Sequence, residues 1–165
     1  MKNKRLRKLV LTALFAAMTT VATLILQIPI PGGGYVNPGD CIILLCAWLL
    51  GPAAGAAAGG LGAALADLLA GYALYAPGTL IVKALMGLCA GVFLCRRTSR
   101  LSLRLAGGAM AEAVMVLGYF AYEALVLGVG MGAVAGLPGN AIQAVFGLAA
   151  AVAIFPLLRR LTQIK

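Results

Sequence analysis

Histidine is missing altogether from this chain, acidic residues number four, and charged residues of every kind make up only 10% of its 165 positions. Without histidine, and with four cysteines (Cys41, Cys46, Cys89, Cys95) that form no CxxC pair, the usual zinc and haem ligand sets are excluded. The cysteines lie in apolar context and read as small buried hydrophobes. No GxxxxGK[ST] phosphate loop occurs, and no serine or cysteine sits beside an evident base, so an enzyme is the least favoured class and no cofactor or metal is expected. Polar side chains are also too scarce to cover a soluble globule. With 63% hydrophobic residues and a mean hydropathy of +1.05, the chain is expected to be an integral membrane protein.

Apolar stretches bounded by Gly, Pro or Arg clusters predict six helices, over about 9–28, 40–50, 52–70, 77–94, 105–127 and 138–158. The first run is about 20 residues long and no small-residue cleavage site closes it, so it is expected to stay as a helix. The doubtful boundary is Gly51-Pro52, because proline is tolerated inside membrane helices. Basic residues decide it. Six spans put Lys2, Lys4, Arg5, Arg7, Lys8, then Arg96, Arg97, Arg100, Arg104, then Arg159, Arg160, Lys165 on one side, which is 12 of the 13 lysines and arginines. Five spans would scatter them. Positive charge marks the cytoplasmic side, so both termini are expected inside a bacterial plasma membrane, as one six-helix domain over 1–165. The net charge of +9 then reflects orientation and contact with anionic lipid rather than nucleic-acid binding.

The outer loops contain no lysine or arginine, yet Asp40, Asp67 and Glu123 fall near the outer ends of helices two, three and five. Lys83, the remaining cation, lies about two turns into helix four. Ionisable side chains in a bilayer are costly, so they face a bundle interior or a wet cavity and pair with one another. One face of helix five carries Glu112, Met115, Tyr119, Tyr122 and Glu123, and Asn140 and Gln143 stand one turn apart on helix six. With Tyr35, Asn37 and Tyr75, these side chains outline an outward-facing pocket with aromatic walls and a few directional polar groups. Two plainer readings compete. Tyr72 and Tyr75 could belong to an interfacial aromatic belt, and Asp40 or Asp67 could pair with Lys83 merely to hold the bundle. Glu112 lies nearer the cytoplasmic half and is left out of the pocket.

The stretch PGGGYVNPGD, residues 31–40, interrupts this apolar pattern. Helix two, from Asp40 to Gly51, spans roughly 18 Å, well short of a hydrocarbon core of roughly 30 Å. Its outer end is therefore expected below the surface, where irregular backbone is tolerated only if protein covers it or it borders a cavity. The loop is read as dipping into the pocket mouth as a lid, presenting Asn37 and Asp40. Gly51, Gly55 and Gly59 repeat every four residues, a pattern that lets membrane helices approach closely. Ala13 and Ala17 form a second small-residue strip, which could pack internally or dock a partner.

In combination, the N-x-G-D element at Asn37, Gly39 and Asp40, the LLGPxxG turn, the segment ALADLLxGYxxYAPxTxxxK ending at Lys83, and the A-x-x-x-A strip resemble the S components of energy-coupling factor (ECF) vitamin transporters, most closely the riboflavin, hydroxymethylpyrimidine and pyridoxine branch. The resemblance implies a membrane-embedded subunit that captures a vitamin or precursor from outside and docks, through Ala13 and Ala17, on a transmembrane coupling subunit served by two cytoplasmic ATPases. The candidate site read from charge and spacing, Tyr35, Asn37, Asp40, Asp67, Tyr75, Lys83, Tyr119, Tyr122, Glu123, Asn140 and Gln143, would be where that ligand binds. A pyrimidine or pyridine ring suits such a site, and riboflavin remains open. A membrane scaffold or assembly protein without transport is the alternative from another class.

Overall fold

A computed structural model describes residues 2–31, 34–94 and 101–162. Cys95, Arg96, Arg97, Arg100, Lys165 and the glycines at 32 and 33 lie outside the described residues. Six α-helices follow one another: α1 (Lys2–Ile25), α2 (Gly39–Leu50), α3 (Pro52–Leu69), α4 (Ala76–Leu94), α5 (Leu101–Ala121) and α6 (Leu137–Thr162). Five helical segments are long and apolar enough to cross a membrane, and α2, with 12 residues, is the short one.

Several boundaries differ from those read in the sequence, each for a local reason. α1 stops at Ile25 rather than Ile28, because the residue before a proline is driven to extended backbone and Pro29 lacks a donor. Ile28–Pro29 (β1) instead pairs antiparallel with Tyr35–Val36 (β2), making the loop a short ribbon. α5 begins at Leu101, four residues early, and gives way after Ala121 to a π-helical turn, Tyr122–Val126, then to a 3-10 segment, Gly130–Gly136. α6 continues past Leu158 to Thr162.

α2 is the axis of the bundle. It packs on α1, α3, α4 and α6, and Ile43, Leu44 and Cys46 are wholly buried. Gly51 separates α2 from α3 with φ of 94°, a conformation glycine adopts without a Cβ clash, and Pro52 then opens α3 where a missing N–H costs nothing. The glycine ladder is a packing surface, as expected: a Cβ on Gly55 would lie 2.8 Å from the Gly87 carbonyl oxygen, and one on Gly87 would lie 2.3 Å from that of Gly55. Backbone meets backbone there. On the other side of α3, Thr20 Oγ1 donates to the Gly62 carbonyl at 2.8 Å, tying α1 to α3.

A charged contact also crosses this apolar interior. Lys83 of α4, 2% exposed, donates to Asp40 Oδ1 of α2, which is fully buried. Between the two acids that could neutralise Lys83, the structure selects Asp40. The second oxygen, Oδ2, accepts from Gln143 Nε2 of α6 at 2.7 Å, so one carboxylate joins three helices.

Removing one partner of a buried pair strands the other charge. Lys83→Ala is expected to destabilise the detergent-purified protein by about 3–5 kcal/mol, whereas Lys83→Met combined with Asp40→Asn recovers a large part of the loss. Denaturant or thermal unfolding of the three proteins measures this, and a Lys83→Ala protein as stable as the wild type would refute it. Gly87→Leu is expected to cost about 1–3 kcal/mol or prevent folding, while Leu88→Ala on the exposed face of α4 changes little in the same assay.

Candidate functional site

At the end of the bundle where α1 gives way to the ribbon, side chains from α1, α3, α4, α5 with its π turn, α6 and the ribbon line a cavity open at its mouth. Its floor is a chain of hydrogen bonds. Lys83 binds Asp40, Asp40 accepts from Gln143, and Gln143 Oε1 accepts from the Asn37 backbone N–H at 2.7 Å. Asn37 turns its own oxygen back to the chain, accepting from Gly39 N at 2.9 Å and from Thr23 Oγ1 at 3.2 Å, which fixes the entry into α2.

The walls are tyrosines, each holding a polar neighbour. Tyr35 donates to Asp67 Oδ1 at 2.5 Å, and Tyr75 donates to Glu123 Oε1 at 3.4 Å. Tyr119 OH and Thr79 Oγ1 share a hydrogen bond of 3.0 Å, while the Lys83 ammonium stands 5.4 Å from the Tyr119 ring centroid, within cation–π range. Tyr35, Tyr72 and Tyr75 follow one another in tilted or edge contacts at 4.7 and 6.2 Å, so Tyr72 supports the wall from behind. Burial, followed by the Asp67 carboxyl, pushes the Tyr35 phenol far above its ordinary value. Burial and then Glu123 push Tyr75 up to about 12. Both phenols therefore keep their protons and act as donors at physiological pH.

What the tyrosines leave free matters most. Asp67 Oδ2 and Glu123 Oε2 are buried and have no hydrogen-bond partner among the described residues. Both residues line the cavity. A buried oxygen left unpaired costs on the order of 1–3 kcal/mol, so the cavity wall offers two acceptors that a donor would satisfy. Glu123 reaches this position through the π turn, in which Leu127 N bonds back five residues to Tyr122 O at 3.0 Å and Val129 N bonds to Glu123 O at 3.0 Å. The widened turn ends α5 with Glu123 directed inward, a use for which such turns recur at functional sites.

Of the side chains nominated from the sequence, Tyr35, Asn37, Asp67, Tyr75, Lys83, Tyr119, Glu123, Asn140 and Gln143 line this one cavity. Asp40 and Tyr122 do not. Asp40 lies beneath the floor, consumed by Lys83 and Gln143, and Tyr122 stands outside the wall, where its hydroxyl donates to the Leu74 carbonyl at 2.6 Å. Glu112 also lies below the floor beside Asp40, both its oxygens buried without a partner among the described residues. Thr23, Thr79 and Gly34 line the cavity without having been nominated. Thr79 was within reach, because it precedes Lys83 by four residues and so shares its helical face.

Midway along α1, Ala13 and Ala17 are exposed. Ala13 and Ala16 border a groove whose far wall is Ala53, Ala54 and Ala57 of α3, with Arg5 and Lys8 also lining it.

Comparison with known proteins places this geometry. The family described as ECF-type riboflavin transporter, S component, matches residues 3–161. Among curated relatives, a protein of Pyrococcus woesei known only from the region 3′ of gap is 42% identical over 130 residues, covering 78% of this chain and 86% of that one. The thiamine precursor transporter HmpT of Lactococcus lactis subsp. cremoris (strain MG1363) is 34% identical over 162 residues, covering 97% of this chain and 92% of that one. With nearly its whole length matched and a polar cavity set into a bundle of membrane-crossing helices, the chain belongs to the ECF riboflavin-type S component family, the multi-pass membrane subunits that bind substrate for vitamin transporters.

Proposed function

We propose that the tyrosine-walled cavity captures a single-ring nitrogen heteroaromatic, a hydroxymethylpyrimidine-like or vitamin B6-like compound, from outside the cell. The observation that carries this reading is the pair of unpartnered oxygens, Asp67 Oδ2 and Glu123 Oε2, facing a space flanked by aromatic rings. A planar ring can lie against Tyr35, Tyr75 or Tyr119 while its amino or hydroxyl donors satisfy the two carboxyl groups and Asn140 adds a directional contact. Lys83 holds the floor, and its charge is already matched by Asp40. The similarity to a thiamine precursor transporter points the same way.

In this reading the chain acts as one binding domain with both ends in the cytoplasm and performs no chemistry of its own. A transmembrane coupling subunit and two ATPases supply the energy. The exposed alanine strip at Ala13 and Ala17, with the groove toward α3, is the surface offered to the coupling subunit.

Two experiments test these roles. Hydrogen bonds to charged groups contribute about 1.5–3 kcal/mol, so Glu123→Gln and Asp67→Asn are each expected to weaken binding roughly 10- to 150-fold while leaving the unfolding midpoint near that of the wild type. Titration of the purified protein with hydroxymethylpyrimidine, pyridoxine and riboflavin reads this directly. Unchanged affinity in both variants would remove the site, and binding of riboflavin alone would remove the single-ring reading. For docking, Ala13→Trp and Ala17→Trp are expected to abolish uptake in cells while ligand binding by the isolated subunit is preserved. Normal uptake in both would show that the strip is no docking surface.

A further inference from the structure

The four acidic residues of the chain are all committed to the interior: Asp40 beneath the cavity floor, Glu112 beside it, and Asp67 and Glu123 in its walls. At the other end of the bundle, no aspartate or glutamate among the described residues lines the cleft bordered by the arginines of α5 and α6. Arg104, near the start of α5, and Arg159 and Arg160, in the last turn of α6, border one cleft with about 620 Å³ of empty space, together with Phe155 and Pro156. These helices run antiparallel with the arginine-bearing ends side by side. The nearest acid on α5, Glu112, is eight residues from Arg104, or about 12 Å along the axis.

The arrangement is built rather than incidental. The Arg104 guanidinium is held over the buried Phe155 ring, 4.0 Å from its centroid, which fixes the plane of its donors. Its Nε is buried and has no hydrogen-bond partner among the described residues. The cleft thus presents three guanidinium groups, one of them immobilised with a free donor, around an apolar floor. Leu101, Leu105 and Leu157, close by in sequence, are exposed on the surface of a helical bundle of membrane-crossing length.

We propose that this cleft binds the phosphodiester of an anionic phospholipid, with the guanidinium groups on the phosphate and the acyl chains running over the neighbouring leucines. The chemistry is that of Arg on phosphate, planar donors matching tetrahedral oxygens, at the level where lipid headgroups lie. An apolar floor and leucine flanks favour a lipid over a free anion, which would leave those surfaces unused. Bound there, the lipid staples the ends of α5 and α6, the two helices that deliver Glu123, Asn140 and Gln143 to the cavity.

The test uses the full chain in mixed detergent–lipid micelles with three probes: phosphatidylglycerol, phosphatidylcholine and inorganic phosphate. Native mass spectrometry is expected to show about tenfold or greater preferential retention of phosphatidylglycerol over phosphatidylcholine, and thermal unfolding a rise in midpoint with phosphatidylglycerol only. Arg159→Gln combined with Arg160→Gln, which leaves the Arg104–Phe155 stack intact, removes most of that preference. Arg104→Lys lowers it, because the charge stays and the planar fork is lost. Lys4→Gln combined with Arg5→Gln removes the same charge from α1 and leaves the preference in place. Equal retention of both lipids, the same loss in the α1 variant, or an equal midpoint shift with inorganic phosphate would overturn the assignment.

Discussion

The ion pair between Lys83 and Asp40 is the constraint around which the bundle is organised. A charge at this depth is tolerated only if it is paired and its remaining hydrogen-bonding capacity is used, and here α2, α4 and α6 each contribute a group to that end. Satisfying Asp40 fixes where α2 begins, which in turn brings Asn37 and the ribbon down to the level of Lys83. The same pair serves as the floor of the cavity. Its charges cancel, so the polarity felt by anything inside comes from Asp67 and Glu123.

That division of labour explains an otherwise odd distribution of acids. Two carboxyl groups are spent on or beneath the floor and two are left with an oxygen free in the walls. Each wall acid is braced by one tyrosine, which holds one oxygen and leaves the other directed at the cavity. The site is thereby rigid where it meets protein and unsatisfied where it would meet a ligand. The opposite end of the bundle inverts this pattern: among the described residues, Arg104, Arg159 and Arg160 share one cleft and no carboxylate lines it.

Much of this was legible in the chain because membrane proteins reveal charge placement strongly. The six helices, the short second one, a close-packing glycine face on α3 and the level shared by Asp67, Lys83 and Glu123 all follow from spacing, from glycine repeats and from the cost of burying charge, whereas the partner of that glycine face, α4, does not. Other features depend on three-dimensional choice. Asp40 and Asp67 lie at similar depth, so only packing decides which of them Lys83 meets. Tyr122 and Glu123 are adjacent, and a regular helix cannot show that a π turn will direct the glutamate inward and the tyrosine against Gly78. Thr23 and Thr79 were passed over because threonine in an apolar helix commonly satisfies itself on its own backbone, as Thr19 does with the Phe15 carbonyl.

The short axial helix also bears on how cargo leaves. Below Asp40, α2 is a column of fully packed side chains, Ile43, Leu44, Leu45, Cys46 and Ala47, clamped by α3 against α4 at van der Waals distance. A pore along this axis would require tearing apart the best-packed part of the molecule. The floor formed by Asp40 and Lys83 lies about one α2 length, or roughly 18 Å, from the far end of that helix. The column from Ile43 to Ala47 thus seals the cavity floor from the far end of the bundle, and the site communicates with the outside of the molecule through its mouth alone among the described residues.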